Sequence, residues 1–210
     1  MRRPLISLLV AAVLVVAAGC GSSDDQSGGA AIVPGVVSGQ FQFGFSNVTS
    51  LLIDQSRGLP LKVVSNGVAS TGKDKADFGG LVTREASIRT AADLAGKRVA
   101  VNTLKNIGDT APDLTVAVYF TSEQLIKNDP DLVKRFTEAM TESLAYADAH
   151  PDEARQVLTS YTQIDEAVIK ELTLPKWPAE INRASVETLA TLAVQDGLVT
   201  KQPDLNALLP

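Results

Sequence analysis

The stretch from Phe41 to Gly58 changes from strand-like to helix-like periodicity with no linker in between. Aromatic residues alternate with small or polar ones at its start, the period-two pattern of a half-buried strand: Phe41, Phe43 and Phe45. From Val48 onward the apolar residues follow helical spacing, with Asn47 as the predicted N-cap and Gly58 as a left-handed residue just past the end. We therefore predict a strand that turns directly into a helix.

The predicted turn between this strand and this helix carries three short polar side chains, those of Ser46, Asn47 and Thr49. A helix that starts directly after a strand aims free backbone N–H groups and the positive end of its dipole at one point in space. This arrangement predicts a pocket for an anion or a polar small molecule. The alternative interpretation is an ordinary strand–helix turn in which the polar residues only cap the helix.

The beginning of the chain has the pattern of a secretion signal. Two arginines precede an apolar run from Leu5 to Ala18, which is too short for a comfortable transmembrane helix and has the length of a signal-peptide core. The run ends in AAGC at residues 17–20, which resembles a bacterial lipobox, a motif in which the cysteine is lipidated and becomes the mature N-terminus. The alternative is an ordinary signal peptide with an incidental Cys20.

The lipobox interpretation divides the chain into three parts. Residues 1–20 are the predicted signal peptide, residues 21–29 (GSSDDQSGG) a flexible polar tether, and residues 30–210 the folded domain. We therefore expect the domain to lie outside the cytoplasmic membrane, in the periplasm or at the cell surface. The lipid on Cys20 would hold it to that membrane.

Charge and composition exclude several classes of function. The net charge is −5 with a pI near 4.9, and no basic cluster follows the leader, which argues against nucleic acid as a partner. With one cysteine and one histidine, the composition argues against a structural disulfide, a zinc site or a Cys–His nucleophile pair within one chain, so we predict no metal and no cofactor. The single histidine, His150, precedes Pro151, where capping a helix explains it better than catalysis does. We predict that the protein is not an enzyme.

Local patterns predict the elements of the first half of the chain. The pattern over residues 30–38 predicts a short helix. The pattern over Leu61–Ser65 predicts a strand that closes at a turn formed by Asn66 and Gly67. Residues 77–83 are a weaker strand candidate, Thr90 begins a capping box, and Gly96 ends the short helix that follows. Residues 99–102 predict a further strand. The order strand, helix, strand with short links indicates an α/β sheet with parallel pairs.

A second polar loop, at residues 102–109 (NTLKNIGD), follows the last of these strands. Thr103, Asn106 and Gly108 in this loop are predicted to present donors at a helix start. Residues 115–120 predict another strand. Helix starts are predicted after it at Ser122, at Asp129-Pro130 and at His150-Pro151, and a last helix over residues 184–196 is closed by Gly197. The C-terminal half is therefore expected to be mainly helical.

Taken together, these pieces resemble the substrate-binding lipoproteins of bacterial ABC importers, in the branch that binds nitrate, sulfonates, taurine and thiamine precursors. The matching segments are GGAAIVPGVVSGQFQFGFSN, GLPLKVVSNG, IRTAADLAGKRVAVNTLKNIGD and the helical part from TVAVYFTSEQLIKNDPDLVKRF to KWPAEINRASVETLATLAVQDGLV. The resemblance implies a periplasmic-binding-protein-like α/β fold of two lobes, with the ligand held in the cleft between them. It also implies an ABC transporter permease as partner, a small-molecule ligand, and a monomer.

The resemblance places the candidate site residues on the two walls of the cleft. Ser46, Asn47 and Thr49 would line the first-lobe wall, and Asn66 would lie near it. Thr103, Asn106 and Gly108 would begin the second-lobe wall. This agrees with the interpretation of both loops as sites at helix termini.

Two blocks of the family pattern are absent from this chain. Family members have a strand, a helix and a second strand before the segment that resembles residues 28–31, where this chain has its tether. They also have most of the second lobe between two segments that are fused here across residues 108–110. We therefore expect residues 30–98 to be mainly first lobe, 99–121 a remnant of an incomplete second lobe, and 122–210 a helical part. A cleft that lacks one wall leaves its ligand half-solvated, so we expect incomplete folding and weak or absent binding.

The sequence leaves the ligand open. Polar loops at helix starts suit nitrate, sulfonates, taurine or a neutral pyrimidine about equally, and the basic residues Arg57, Lys73 and Lys105 are scattered rather than clustered. A further alternative is an envelope lipoprotein with an interaction role, in which the apolar stripe from Leu132 to Leu144 serves as a partner surface. Core packing explains that stripe more simply.

Overall fold

The computed structural model describes residues 29–73, 77–79, 83–97 and 113–210. The first part of the described chain contains α1 (Gly29–Val37), β1 (Gly44–Asn47), α2 (Val48–Ser56), β2 (Leu61–Ala69) and a 3-10 helix (Ala91–Leu94). The second part contains β3 (Thr115–Ser122), α3 (Glu123–Asn128), α4 (Pro130–Ala149), α5 (Pro151–Tyr161), α6 (Glu166–Glu171), α7 (Arg183–Gln195) and α8 (Leu205–Leu208). The predicted α/β class and the helical C-terminal half are both confirmed.

The two ends of α2 are fixed by the residues that the sequence predicts. Asn47 Oδ1 accepts a hydrogen bond from Ser50 N at 2.8 Å, which satisfies one of the free N–H groups at the helix start. Gly58 follows the helix with φ at +84°, a conformation that glycine adopts without steric cost. The strand–helix unit is therefore confirmed at the level of its caps.

β1 begins at Gly44 and not at Phe41, where the aromatic alternation starts. Before Gly44 the backbone is held differently, because Thr121 Oγ1 donates to Gln42 O at 2.6 Å in place of a ladder bond. At Gly44 itself a Cβ atom would lie 2.6 Å from the ring of Phe120. The absence of a side chain lets this large core residue pack directly on the β1 backbone.

The three-stranded sheet has the order β1–β3–β2, and both neighbouring pairs are antiparallel. Among the described strands this corrects the expectation of parallel pairs in a partly parallel first-lobe sheet, and the strand predicted over 99–102 lies outside the described residues. β1 and β2 do run in the same direction, as a strand–helix–strand unit requires, but they are not neighbours. The reason is that β3 returns from much later in the chain and lies between them.

β2 continues through Asn66 and Gly67, where the sequence predicts a turn. That prediction is wrong, because the chain is bulged there and not reversed: the pairing of β2 with β3 shifts register at three points. A Cβ atom on Gly67 would lie 2.7 Å from the carbonyl oxygen of Ala117 on β3. The glycine is required by the close approach of two strands rather than by a turn.

One face of the sheet packs against α1, α2, α7 and α8. The largest fully buried side chains of this core come from every one of those elements: Val36, Leu51, Leu52, Phe120, Val186 and Leu208. Burying a side chain of this kind contributes about 1.5–3 kcal/mol relative to leaving it exposed. The turn between β1 and α2 is therefore held on a well-packed support.

The opposite face of the sheet meets α4 through aromatic rings. Phe136 of α4 stacks on Phe43 at a centroid distance of 3.8 Å and meets Tyr119 of β3 edge-on at 5.8 Å. Of the predicted apolar stripe on α4, Leu144 is buried, whereas the others are half-buried: Leu132, Val133, Phe136, Met140 and Ala147. Packing accounts for part of this stripe, as the sequence predicts.

The helix starts predicted in the second half are confirmed. Ser122 Oγ accepts from Leu125 N at 3.2 Å at the start of α3, and Asp129 Oδ1 accepts from Leu132 N at 3.0 Å at the start of α4. α7 ends before Gly197, whose φ is +71°. The sequence missed α6 and α8, because elements of 6 and 4 residues are too short to show a hydrophobic period.

Several predicted elements lie partly or wholly outside the described residues. The strand over 99–102, the polar loop over 102–109 and residues 1–28 lie outside the described residues. In the region of the weak strand prediction, the described residues 77–79 and 83 are not in a strand. The capping box at Thr90 is confirmed, since its N–H donates to Asp93 Oδ2 at 2.8 Å. Within the described ranges, no helix is long and apolar enough to cross a membrane.

Candidate functional site

The turn from β1 to α2 buries its polar side chains instead of presenting them all to solvent. Ser46 is 1% exposed and Thr49 is 5% exposed. Asn47 between them is half-buried, and its side-chain oxygen accepts the hydrogen bond that caps α2. Two of the three predicted residues are therefore enclosed at the start of a helix whose first N–H groups point the same way.

Pairing with β3 places Asn66 of β2 in line with the turn at the end of β1. Ser46 on β1 and Asn66 on β2 are both in register with Val118, one from each side. Residues opposite one another on paired strands project to the same face of a sheet, so Ser46 and Asn66 share a face about 10 Å apart. Asn66 is 1% exposed. The predicted proximity of Asn66 to the turn is thus produced by a strand that the local sequence pattern could not place.

Three side-chain oxygens in this region have no hydrogen-bond partner among the described residues: Ser46 Oγ, Thr49 Oγ1 and Asn66 Oδ1. The only other such buried side-chain atom in the described chain is Arg155 Nε on α5. An unsatisfied buried polar group costs about 1–3 kcal/mol, and folded proteins leave few of them. Three of the four such atoms therefore belong to residues that the sequence singled out as candidate ligand contacts.

Asn66 is also tied to a distant segment that sequence analysis did not connect with it. Its Nδ2 donates to the carbonyl oxygen of Pro178 at 2.6 Å. Close by, Ala69 and Lys176 exchange two backbone hydrogen bonds, at 2.8 and 3.0 Å. We call residues 176–178 the strap. A backbone carbonyl leaves no side-chain signal, so no motif could have revealed this contact.

Aromatic side chains lie on the other face of the sheet, behind Ser46. Phe45 meets Tyr119 at a centroid distance of 4.9 Å, and burial raises the pKa of the Tyr119 hydroxyl. Phe45 remains 38% exposed. Because successive residues of a strand alternate in direction, Phe45 and Ser46 face opposite sides. The aromatic cluster supports β1 without contacting the candidate polar site.

A separate groove of about 640 Å³ lies between α1 and α2. Its lining is mostly apolar, with Asp54 and Arg57 among the polar exceptions. Burial raises the pKa of the Asp54 carboxyl, and the Arg57 guanidinium 3.7 Å away partly offsets this. None of the predicted site residues lines this groove, which places Arg57 apart from the candidate site.

Of the other residues that the sequence singled out, several lie outside the described part of the chain and His150 lies within it. Thr103, Asn106 and Gly108 lie outside the described residues, as do Cys20 and Lys105. His150 is described: its ring stacks on Tyr146 at 4.0 Å and its Nδ1 lies 2.8 Å from the Tyr146 carbonyl oxygen, at the end of α4. This is the position of a helix-capping histidine, as the sequence predicts.

A pair of threonine substitutions tests whether the Thr49 hydroxyl lacks a hydrogen-bond partner in the folded, unliganded protein. Thr49→Val keeps the side-chain shape and removes the unpaired hydroxyl, so we expect it to raise the free energy of unfolding of the unliganded protein by about 1 kcal/mol. Thr115→Val is the matched control, since Thr115 is buried and its Oγ1 accepts from Asn182 N at 3.0 Å. Leaving that N–H unpaired should lower the free energy of unfolding by about 1–2 kcal/mol. Denaturant unfolding measures both, and equal losses would mean that the Thr49 hydroxyl is already satisfied.

Comparison with known proteins identifies a family that the sequence matches. A family model described as "NMT1/THI5 like" matches residues 25–111 and 103–154, which together are more than half of the chain. The two matched segments overlap at 103–111, where the sequence predicts that a block of the second lobe is absent. No curated protein gives a significant match.

Solved structures resemble the chain over most of its length. A Candida albicans gene product described as having the generic periplasmic binding protein fold has a TM-score of 0.60 at 12% identity, with 87% of this chain and 83% of that chain covered. The ligand-binding component of an ABC-type import system from Staphylococcus aureus, solved with zinc bound, has a TM-score of 0.61 at 14% identity, covering 84% and 81%. The alkanesulfonate-binding protein SsuA from Xanthomonas axonopodis pv. citri, bound to MOPS, has a TM-score of 0.56 at 13% identity, covering 87% and 86%. At these identities the likeness concerns the fold.

Proposed function

Since the chain belongs to the NMT1/THI5-like family and has the periplasmic-binding-protein fold, we propose that it is the extracytoplasmic solute-binding component of an ABC importer. It would capture a small molecule outside the cell membrane and deliver it to a permease. Structural neighbours described as import components and sulfonate-binding proteins support this role. A binding protein of this kind would perform no chemistry on its ligand.

The proposed ligand contacts on the first wall are Ser46, Asn47, Thr49 and Asn66. One observation carries this assignment: three of these residues are at least 95% buried and keep a side-chain oxygen that has no partner among the described residues. A bound polar molecule would supply those partners, and the first turn of α2 would add backbone N–H groups. Thr103, Asn106 and Gly108 are proposed to contribute from the second wall.

The membrane attachment is part of the same proposal. Lipidation of Cys20 would anchor the protein to the extracytoplasmic face of the cell membrane and keep it near its permease. The polar run at residues 21–29 has the composition of a flexible chain and would let the domain reach the permease. We propose that the domain acts as a monomer.

A second candidate is a protein of this family whose second lobe is incomplete and which no longer binds its ligand. The observation that favours it is an apolar surface on the helices that follow β3. Large apolar side chains on α4 to α6 and the loops between them are more than 40% exposed: Tyr146, Val157, Tyr161, Ile164 and Val168. In this candidate, the second lobe of a complete fold would cover these groups.

A thermal melt of the full chain in mild detergent separates the two candidates. We expect a cooperative transition that one compound raises, from a panel of nitrate, ethanesulfonate, taurine, pyrimidine and 4-aminopyrimidine. A ligand at 100 times its dissociation constant should add about 2.7 kcal/mol to the free energy of unfolding. A cooperative melt that no compound moves would favour the second candidate.

A further inference from the structure

The amide of Asn66 is held in one orientation. Its Nδ2 lies 2.6 Å from the carbonyl oxygen of Pro178. A carbonyl oxygen only accepts hydrogen bonds, so the group that faces it must be the NH2 end of the amide. The other end, Oδ1, is then the atom left without a partner among the described residues. The NH2 end carries two N–H donors, one of which bonds to Pro178, and the atom that Asn66 leaves wholly unpartnered is the acceptor Oδ1.

The strap that sets this orientation is itself fixed at several points. The main chain of Lys176 exchanges two hydrogen bonds with Ala69 on β2, and its Nζ pairs with Asp113 at 3.3 Å. Trp177 N donates to Asp148 Oδ1 on α4 at 3.2 Å. Turning the Asn66 amide over would bring its oxygen against the Pro178 carbonyl oxygen. The surrounding contacts leave the strap little freedom to relieve that repulsion.

We propose that Asn66, oriented by the Pro178 carbonyl, is the residue that determines ligand class, because it admits only a molecule that brings an N–H or O–H donor to Oδ1. This inference rests on the proposed function. Ser46 and Thr49 do not discriminate in this way, since a hydroxyl can both donate and accept. Nitrate and unsubstituted alkylsulfonates carry acceptor oxygens only and would meet Asn66 oxygen to oxygen. Amino-substituted ligands, charged or neutral, satisfy it.

Two pairs of probes isolate the donor while keeping the rest of each molecule constant. Taurine is ethanesulfonate with an amine in place of one terminal hydrogen, and 4-aminopyrimidine is pyrimidine with an exocyclic amine. Sites built to hydrogen-bond a ligand group reject analogues that lack it far more strongly than apolar pockets reject a missing methylene. We expect the amine-bearing member of the pair that binds to bind at least about tenfold more tightly to the full chain, by calorimetry.

A variant of Asn66 assigns the discrimination to this residue. Asn66→Leu should remove the preference for the amine. The matched control is Asn128→Leu, at the exposed end of α3, which should leave the preference unchanged. The comparison on the unmodified chain stands even where a variant fails to fold.

Four results would count against the inference in different ways. Equal or tighter binding of ethanesulfonate or pyrimidine than of its amine-bearing partner overturns it and leaves the proposed function intact. A preference for the amine that persists in folded Asn66→Leu overturns the role of Asn66. Binding of nitrate but of none of the four probes overturns the inference and leaves the proposed function intact, whereas a cooperatively melting chain that binds neither nitrate nor any probe counts against both.

Discussion

Replacing Phe120 with alanine is expected to lower the free energy of unfolding by about 4 kcal/mol. Phe120 lies on the central strand β3 and is fully buried. Its ring packs on the backbone of Gly44, where a Cβ atom would lie only 2.6 Å away. Neither a strand backbone nor a glycine can move a side chain into the space that the ring leaves. The cavity therefore stays open, which places this substitution at the costly end of its class.

Denaturant unfolding of Phe120→Ala measures this loss, and Phe78→Ala provides the control. Phe78 is 39% exposed and lies outside the helices and strands, so its truncation should change the free energy of unfolding by about 0.5 kcal/mol or less. Comparable losses in the two variants would mean that β3 is not the centre of the core. A noncooperative transition in the unmodified chain would instead support the incomplete-fold candidate.

The local elements could be predicted because their signals are local. Asn47 and Gly58 mark the ends of α2 through cap chemistry that acts within a few residues, and Ser122 and Asp129 do the same for α3 and α4. The register of the sheet could not be predicted in this way. β3 lies between β1 and β2 although it begins at Thr115, long after β2 ends at Ala69. The local sequence pattern between these strands does not indicate which strands pair.

The candidate site divides along the same line. Ser46 and Thr49 follow from the physics of a helix that starts directly after a strand, and Asn66 followed from a family resemblance. That their oxygens have no partners among the described residues depends on tertiary packing, which only coordinates reveal. The Pro178 carbonyl is further removed still, because every residue has a carbonyl and its position comes entirely from the fold. The sequence predicts where a ligand would bind, and the requirement for a donor at Asn66 Oδ1 is a proposal that needed the coordinates.

Gly67 lies in β2, where the sequence predicts a turn, and its substitution is the second change for which we expect a large effect on stability. Gly67→Ala is expected to lower the free energy of unfolding by about 3 kcal/mol and to weaken ligand binding by about tenfold or more. The new methyl group would lie 2.7 Å from the Ala117 carbonyl oxygen and 2.5 Å from the Phe45 ring. The ring can turn aside, but the carbonyl belongs to the β3 backbone. β2 must therefore move away from β3, and Asn66 moves with it.

The matched control for Gly67→Ala is Gly79→Ala. A Cβ atom on Gly79 meets nothing within 4 Å among the described residues, and its φ is not in the left-handed region. Adding a methyl group there restricts the unfolded chain and should change the free energy of unfolding by between zero and about +1 kcal/mol. Calorimetry at a temperature where both variants are folded separates binding from stability. If Gly67→Ala lost stability but bound the probes as tightly as the unmodified chain, the bulge at residue 67 would be a packing feature, and Asn66 would not be a ligand contact.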